Sequence, residues 1–106
     1  MIPVALQKFR TYKLAVDYYE KCKEVELSPS LKDQLTRATE GIVLTLAEGS
    51  AKPTAKDRAR YYNMSLGSFR ETQAILTLAK QDQLLQEYDF LGACLYRLAR
   101  ATVAAR

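Results

Sequence analysis

Breaks are scarce in this chain, and that limits its folds more than any other feature. Four glycines and three prolines punctuate 106 residues, whereas a sheet protein needs a turn signal roughly every 8–12 residues. Between the breaks lie four stretches whose apolar residues recur at spacings of three and four, the helical period. The first runs from Val4 to Glu24, with Phe9, Tyr12, Val16 and Tyr19 on one face. Ser28-Pro29-Ser30 interrupts it, and Ser30 followed by Asp33 reads as a helix N-cap. The second carries Leu31, Leu35, Ala38, Ile42 and Thr45 on a stripe and stops at Gly49, where a C-terminal cap of positive φ is expected. Lys52-Pro53 breaks the chain again. Thr54 with Asp57 then caps the third, which reaches Lys80 with Tyr62, Leu66, Phe69, Leu76 and Ala79 inward. Gln81 to Gln86 is a turn region, and the fourth covers Glu87 to Ala104, led by Leu91, Cys94, Leu95 and Leu98. Short connections favour antiparallel neighbours. The expected fold is all-α: an antiparallel up-down-up-down four-helix bundle, one domain over residues 1–106.

Histidine is absent, which removes Ser-His-Asp and Cys-His nucleophile pairs, His-ligated zinc and Glu-x-x-His di-iron sites. Cys22 and Cys94 match no metal or redox spacing and read as reduced, buried, small apolar residues of a cytosolic protein. No catalytic residue, metal or cofactor is therefore expected, and the chain reads as non-enzymatic. Met1 to Lys8 lacks the basic region and apolar stretch of a signal peptide. The longest strongly apolar run, Ile42-Val43-Leu44-Thr45-Leu46-Ala47, is far short of the ~20 residues of a membrane span. The expectation is a cytoplasmic protein with no membrane partner.

Two of the four helices carry more apolar surface than one core uses. Ile42, Val43, Leu44 and Leu46 cover most of the circumference of the second, and Phe90, Leu91, Leu95, Tyr96 and Leu98 crowd the fourth. Single exposed leucines are ordinary, but a surplus of this kind points to a subunit interface. Val43, Leu44, Leu46, Phe90 and Tyr96 are its candidates, and they predict a homo-oligomer.

Arg37-Ala38, Ile42 and Ala47-Glu48-Gly49, followed about eighteen residues later by Gly67-Ser68 and Glu71, form a pattern. It resembles the bacterial four-helix-bundle family of the ribosomal RNA intervening-sequence proteins. The motif spans Leu31 to Lys80. This chain has Gly41 where the family usually has Ser, Thr45 where it has Asn, and Ser50-Ala51-Lys52 in place of a Gly-Arg tract. The resemblance implies a homo-oligomeric bundle. Related accessory proteins of diversity-generating retroelements form pentameric rings with basic, RNA-binding surfaces, which makes a pentamer the leading expectation.

Charge placement adds a separate line of reasoning. In an up-down bundle the N-terminus, the second connection and the C-terminus share one end. That end collects Lys8, Arg10, Lys52, Lys56, Arg58, Arg60, Arg100 and Arg106 against Glu48 and Asp57. The opposite end is acidic. The modest net charge of +4 thus hides a polarised molecule whose basic end suits phosphates. Lys52, Lys56, Arg58 and Arg60, joined by Lys8, Arg10 and Arg100, are the candidate nucleic-acid-binding residues. Tyr61 and Tyr62 lie beside them, either as base-stacking rings or as one core and one half-buried ring. Arg37, Glu40, Glu48, Arg70 and Glu71 read as structural ion pairs, with Arg37–Glu71 the expected pair. Two functions stay open: an RNA-associated binding protein using the basic end, which is favoured, and a structural or adaptor oligomer whose partner is another protein.

Overall fold

The computed structural model describes residues 9–104, with side chains as far as residue 100. It is all-helical, with no strand among the described residues. Helix α1 spans Arg10–Cys22, α2 Pro29–Ser50, α3 Ala55–Leu78, α4 Asp82–Glu87 and α5 Asp89–Ala104. Residues 4–8 of the first predicted helix lie outside the described residues.

The helix ends follow from local chemistry, in one case differently from expectation. Ser28, not Ser30, caps α2: its hydroxyl accepts from the Leu31 N–H at 3.4 Å, and Pro29 opens the helix. Proline suits that first position because its φ is preset and it has no N–H to leave unpaired. Lys32 folds back to donate to the carbonyls of Lys23 (2.6 Å) and Val25 (2.5 Å), tying the α1–α2 turn together. Thr54 caps α3 as expected, accepting from the Asp57 N–H at 3.1 Å, while Asp57 suits the positive end of the helix dipole.

α3 stops at Leu78, two residues before the predicted end. Gln81 N–H donates to the Leu76 carbonyl (2.9 Å) and Lys80 N–H to the Thr77 carbonyl (3.1 Å), the pair of bonds that closes a helix through a left-handed residue. That residue is Lys80, at φ 58°. A side chain there costs about 1–2 kcal/mol. Lys80→Gly should therefore raise stability by about 1 kcal/mol after glycine's extra chain entropy is counted. Thermal melts followed by circular dichroism would register a rise of a few degrees.

The final predicted helix is observed as α5, starting two residues later than expected, and the expected turn region before it is itself a short helix, α4. Tyr88 separates the two. The Tyr88 ring is buried 4.9 Å from that of Tyr18, and its hydroxyl donates to the Asp17 carboxylate. Seating that ring sets where the chain bends.

α2 packs on α3, α3 on α5, and α1 on both α2 and α5. Tyr18, Leu35, Ile42, Leu46, Phe69, Leu76, Leu91 and Leu95 form the centre of the core. Its buried hydroxyls are partnered: Tyr18 donates to Thr72 (2.7 Å), Thr72 to the Phe69 carbonyl (2.6 Å), and Ser65 to the Ile42 carbonyl (2.8 Å). Burial pushes the Tyr18 hydroxyl well above the tyrosine range and the Cys22 thiol up to about 12, so Cys22 is an inert thiol in the folded chain. Cys22 is buried and Cys94 half-buried, and both are free.

The core departs from the sequence expectation in two places. On α1 the buried line is Thr11, Ala15, Tyr18 and Cys22; Phe9, Tyr12, Val16 and Tyr19 are only half-buried. Small Thr11 and Ala15 let the helix lie close, leaving the larger line at the α1–α2 edge. Gly49 is not a cap of positive φ, because α2 continues through Ser50 and no glycine among the described residues has positive φ. It is there for space. A Cβ at Gly49 would sit 2.9 Å from the Tyr62 ring and 3.0 Å from the Tyr61 Cβ. Gly92 has the same role against the Phe69 ring, at 2.8 Å.

Candidate nucleic-acid interface

The α2–α3 connection is built from short-range contacts. Arg58 is half-buried, and its guanidinium donates to the Lys52 carbonyl at 3.1 Å, stapling the turn to the first turns of α3. The Lys52 ammonium lies 4.8 Å from the centre of the Tyr61 ring, and the Arg60 guanidinium lies 5.2 Å from the same ring. Both are within cation–π reach. Arg60 also donates to the Tyr61 hydroxyl at 3.5 Å. Lys56 is exposed in the opening turns of the same helix. Tyr61 is thus a half-exposed ring set among cations.

Tyr62 has a different fate. It is buried, burial raises its hydroxyl pKa with Arg58 opposing the shift, and the Phe9 ring meets it edge-on at 6.4 Å. Of the adjacent tyrosines, one belongs to the core and one to the surface.

The other candidate cations divide. Arg10 does not join the Tyr61 group by any direct contact. It lines a groove between α1 and α5 with Lys13, Leu14, Asp17, Phe90, Cys94, Arg97 and Leu98. Arg97 lies 5.8 Å from the Phe90 ring, and Arg100 lies 4.9 Å from the Tyr96 ring. Lys8 lies outside the described residues, as does Arg106. Lys13 and Arg97, which the charge count by bundle end does not single out, line the same groove as Arg10. Their signal was spacing: Lys13 is three residues past Arg10, and Arg97 is seven past Phe90.

A second groove runs between α1 and α2. Tyr12, Val16, Tyr19, Val43 and Leu44 give it an apolar floor, and Glu20 and Glu40 an acidic rim. The half-buried aromatic line of α1 is one of its walls.

Among the interface candidates, Leu44 (63% exposed), Phe90 (55%) and Tyr96 (46%) stand out from the surface, and Val43 is half-buried. Leu46 is a correction. It is 0% exposed, in the centre of the core. Two residues along a helix turn the side chain by about 200°, so Leu44 and Leu46 point to opposite sides.

The expected Arg37–Glu71 pair does not form. Arg37 reaches Asp33 one turn earlier on its own helix, at 3.0 Å, both side chains being well exposed. Glu71 is exposed and makes no ion pair among the described residues. Pairs of the Arg37–Asp33 kind contribute about 0.3–0.5 kcal/mol. Arg37→Gln and Glu71→Gln should each shift the urea midpoint by no more than the equivalent of about 0.5 kcal/mol. A loss of several kcal/mol at both positions would restore the buried-pair reading.

Among the described residues, no group of three or more Cys, Asp or Glu side chains is placed to hold a metal ion. No described helix is long and apolar enough to cross a membrane. Residues 7–99 match the family model described as 23S rRNA-intervening sequence protein. No curated protein and no solved structure matches the chain.

Proposed function

The chain belongs to the 23S rRNA-intervening sequence protein family, and from that premise we propose a non-enzymatic, cytoplasmic, homo-oligomeric protein that associates with RNA through its basic end. The subunit is an antiparallel up-down-up-down four-helix bundle of α1, α2, α3 and α5. Supporting that topology, Gly41 lies beside Ser68 while Gly49 lies beside Tyr61 and Tyr62, so register falls on α3 as it rises on α2. Asp17 likewise meets Tyr88, and Gly92 meets Phe69.

The observation that carries the RNA reading is the run of Lys52, Lys56, Arg58 and Arg60 at the start of α3, with Lys52 and Arg60 flanking the Tyr61 ring and Arg58 bound to the Lys52 carbonyl. A helix N-terminus carries positive partial charge, so cations there repel it. A phosphate placed among them relieves that repulsion and releases counterions. Tyr61 adds a ring on which an unpaired base can stack. Arg10 and Arg100 extend the basic end, and Lys8 continues the same segment of sequence. Contacts of this type go to phosphates rather than base edges, so affinity depends weakly on sequence. Self-association, with a pentamer the leading expectation, multiplies the basic surface. Exposed Leu44, Phe90 and Tyr96 support it.

The test is fluorescence anisotropy with labelled, mixed-sequence single-stranded RNA at low salt. Saturable binding is expected. Its absence, with recovery of an acidic partner protein by affinity capture, would put the adaptor reading first.

A further inference from the structure

The grooves on either side of α1 carry opposite charge. On the α1–α2 side Glu40 is exposed and makes no ion pair among the described residues, and Leu44 projects one helical turn beyond it. Glu20, on the same rim, lies 3.6 Å from Lys23 of its own helix. On the α1–α5 side Arg10, Lys13 and Arg97 are exposed and unpaired by any acid among the described residues. The acid lining that groove, Asp17, already accepts from the Tyr88 hydroxyl. Phe90 projects there beside Arg97. Each side therefore offers one protruding apolar side chain and an apolar floor, the first rimmed by two acids, Glu20 and Glu40, and the second by three cations, Arg10, Lys13 and Arg97, against one acid, Asp17.

We propose that these two surfaces are the two halves of one interface between copies of this chain. The acidic α1–α2 groove of one copy receives Phe90 and the Arg97 edge of the next, while Leu44 of the first enters the basic α1–α5 groove of the second. Charge decides the geometry. A two-fold interface on either surface sets like charge against like, which is repulsive. A head-to-tail contact pairs Glu40 with Arg97 and repeats at every copy, which forms a ring when the rotation from copy to copy closes the circle. This rests on the homo-oligomer reading above and specifies which surfaces meet and in what sense.

The experiment uses the full chain, with mass by multi-angle light scattering over a micromolar range and helicity by circular dichroism. Glu40→Arg and Arg97→Glu each set like charges together. Each should raise the concentration of half-dissociation by about tenfold or more, with helicity unchanged because both side chains are exposed. The double variant restores opposite charges at every contact and should recover the wild-type mass. In an equimolar mixture each single variant offers the other an opposite charge, so the mixture should associate more tightly than either variant alone, with one like-charge contact left in any ring of odd number such as a pentamer. If wild type is oligomeric and the single variants keep its mass, or the double fails to recover it, the pairing is overturned while self-association stands. A wild-type monomer overturns both.

Discussion

Leu46→Lys is expected to unfold the protein, whereas Leu44→Lys leaves its helicity and melting temperature near wild type. Leu46 is fully buried among the core residues. Losing a packed leucine of this kind costs about 2–5 kcal/mol. The lysine adds a charged group with no partner, which costs several kcal/mol more or forces the amine to be neutral. Together these approach the whole stability of about 5–15 kcal/mol typical of a native protein. Leu44 has no such role, being mostly exposed at the rim of the α1–α2 groove. Its lysine variant should retain the fold and form smaller assemblies. Urea denaturation read by circular dichroism, alongside solution mass, separates the two. Equal stability of both variants would mean that Leu46 does not occupy the core.

The second large effect concerns RNA. Lys56→Glu with Arg60→Glu should weaken RNA affinity by about ten- to a hundredfold at low salt and reduce the log–log salt slope by about 1.4, two phosphate contacts on a single strand. Both residues are exposed, so helicity and oligomer mass should not change. Arg58 is unsuitable for this test because it holds the Lys52 carbonyl; reversing it disturbs the turn as well as the charge. The same reversal at Lys21 and Lys23, the latter already paired with Glu20, should have a much smaller effect. Equal loss from both double variants would mean that net charge alone, not the basic end, governs binding.

The class of fold was legible because helical periodicity survives in the pattern of large apolar residues, and Pro29, Pro53 and Thr54 mark real boundaries. Helix faces were less so. On α1 the aromatic line dominates any reading by hydrophobicity, yet Thr11 and Ala15 take the inner face because their small size permits close approach. Gly49 misled for a related reason. Its place near a helix end suggested conformational freedom, whereas its use is the close passage of Tyr61 and Tyr62, which depends on a neighbouring helix. Lys80 in a left-handed conformation left no mark in the sequence, since glycine or asparagine is the residue expected there.

The candidate site was legible in part for the same reason. Lys52, Lys56, Arg58 and Arg60 are close in sequence and stay close in space. Arg10, Lys13 and Arg97 come together only through the packing of α1 on α5, and Arg37 chose Asp33, a partner fixed on its own helix, over one that needed two helices in register. Contacts within one helix follow from spacing alone. Contacts between helices depend on rotations that one residue of difference shifts by about 100°.

The most direct test of the account is the salt dependence of wild-type binding to mixed-sequence single-stranded RNA. The basic end predicts a linear fall of log affinity with log salt at about −0.7 per phosphate contacted, hence a slope near −2 or steeper if Lys52, Lys56 and Arg60 each engage one phosphate. No binding at low salt, or an affinity that does not change with salt, would contradict it.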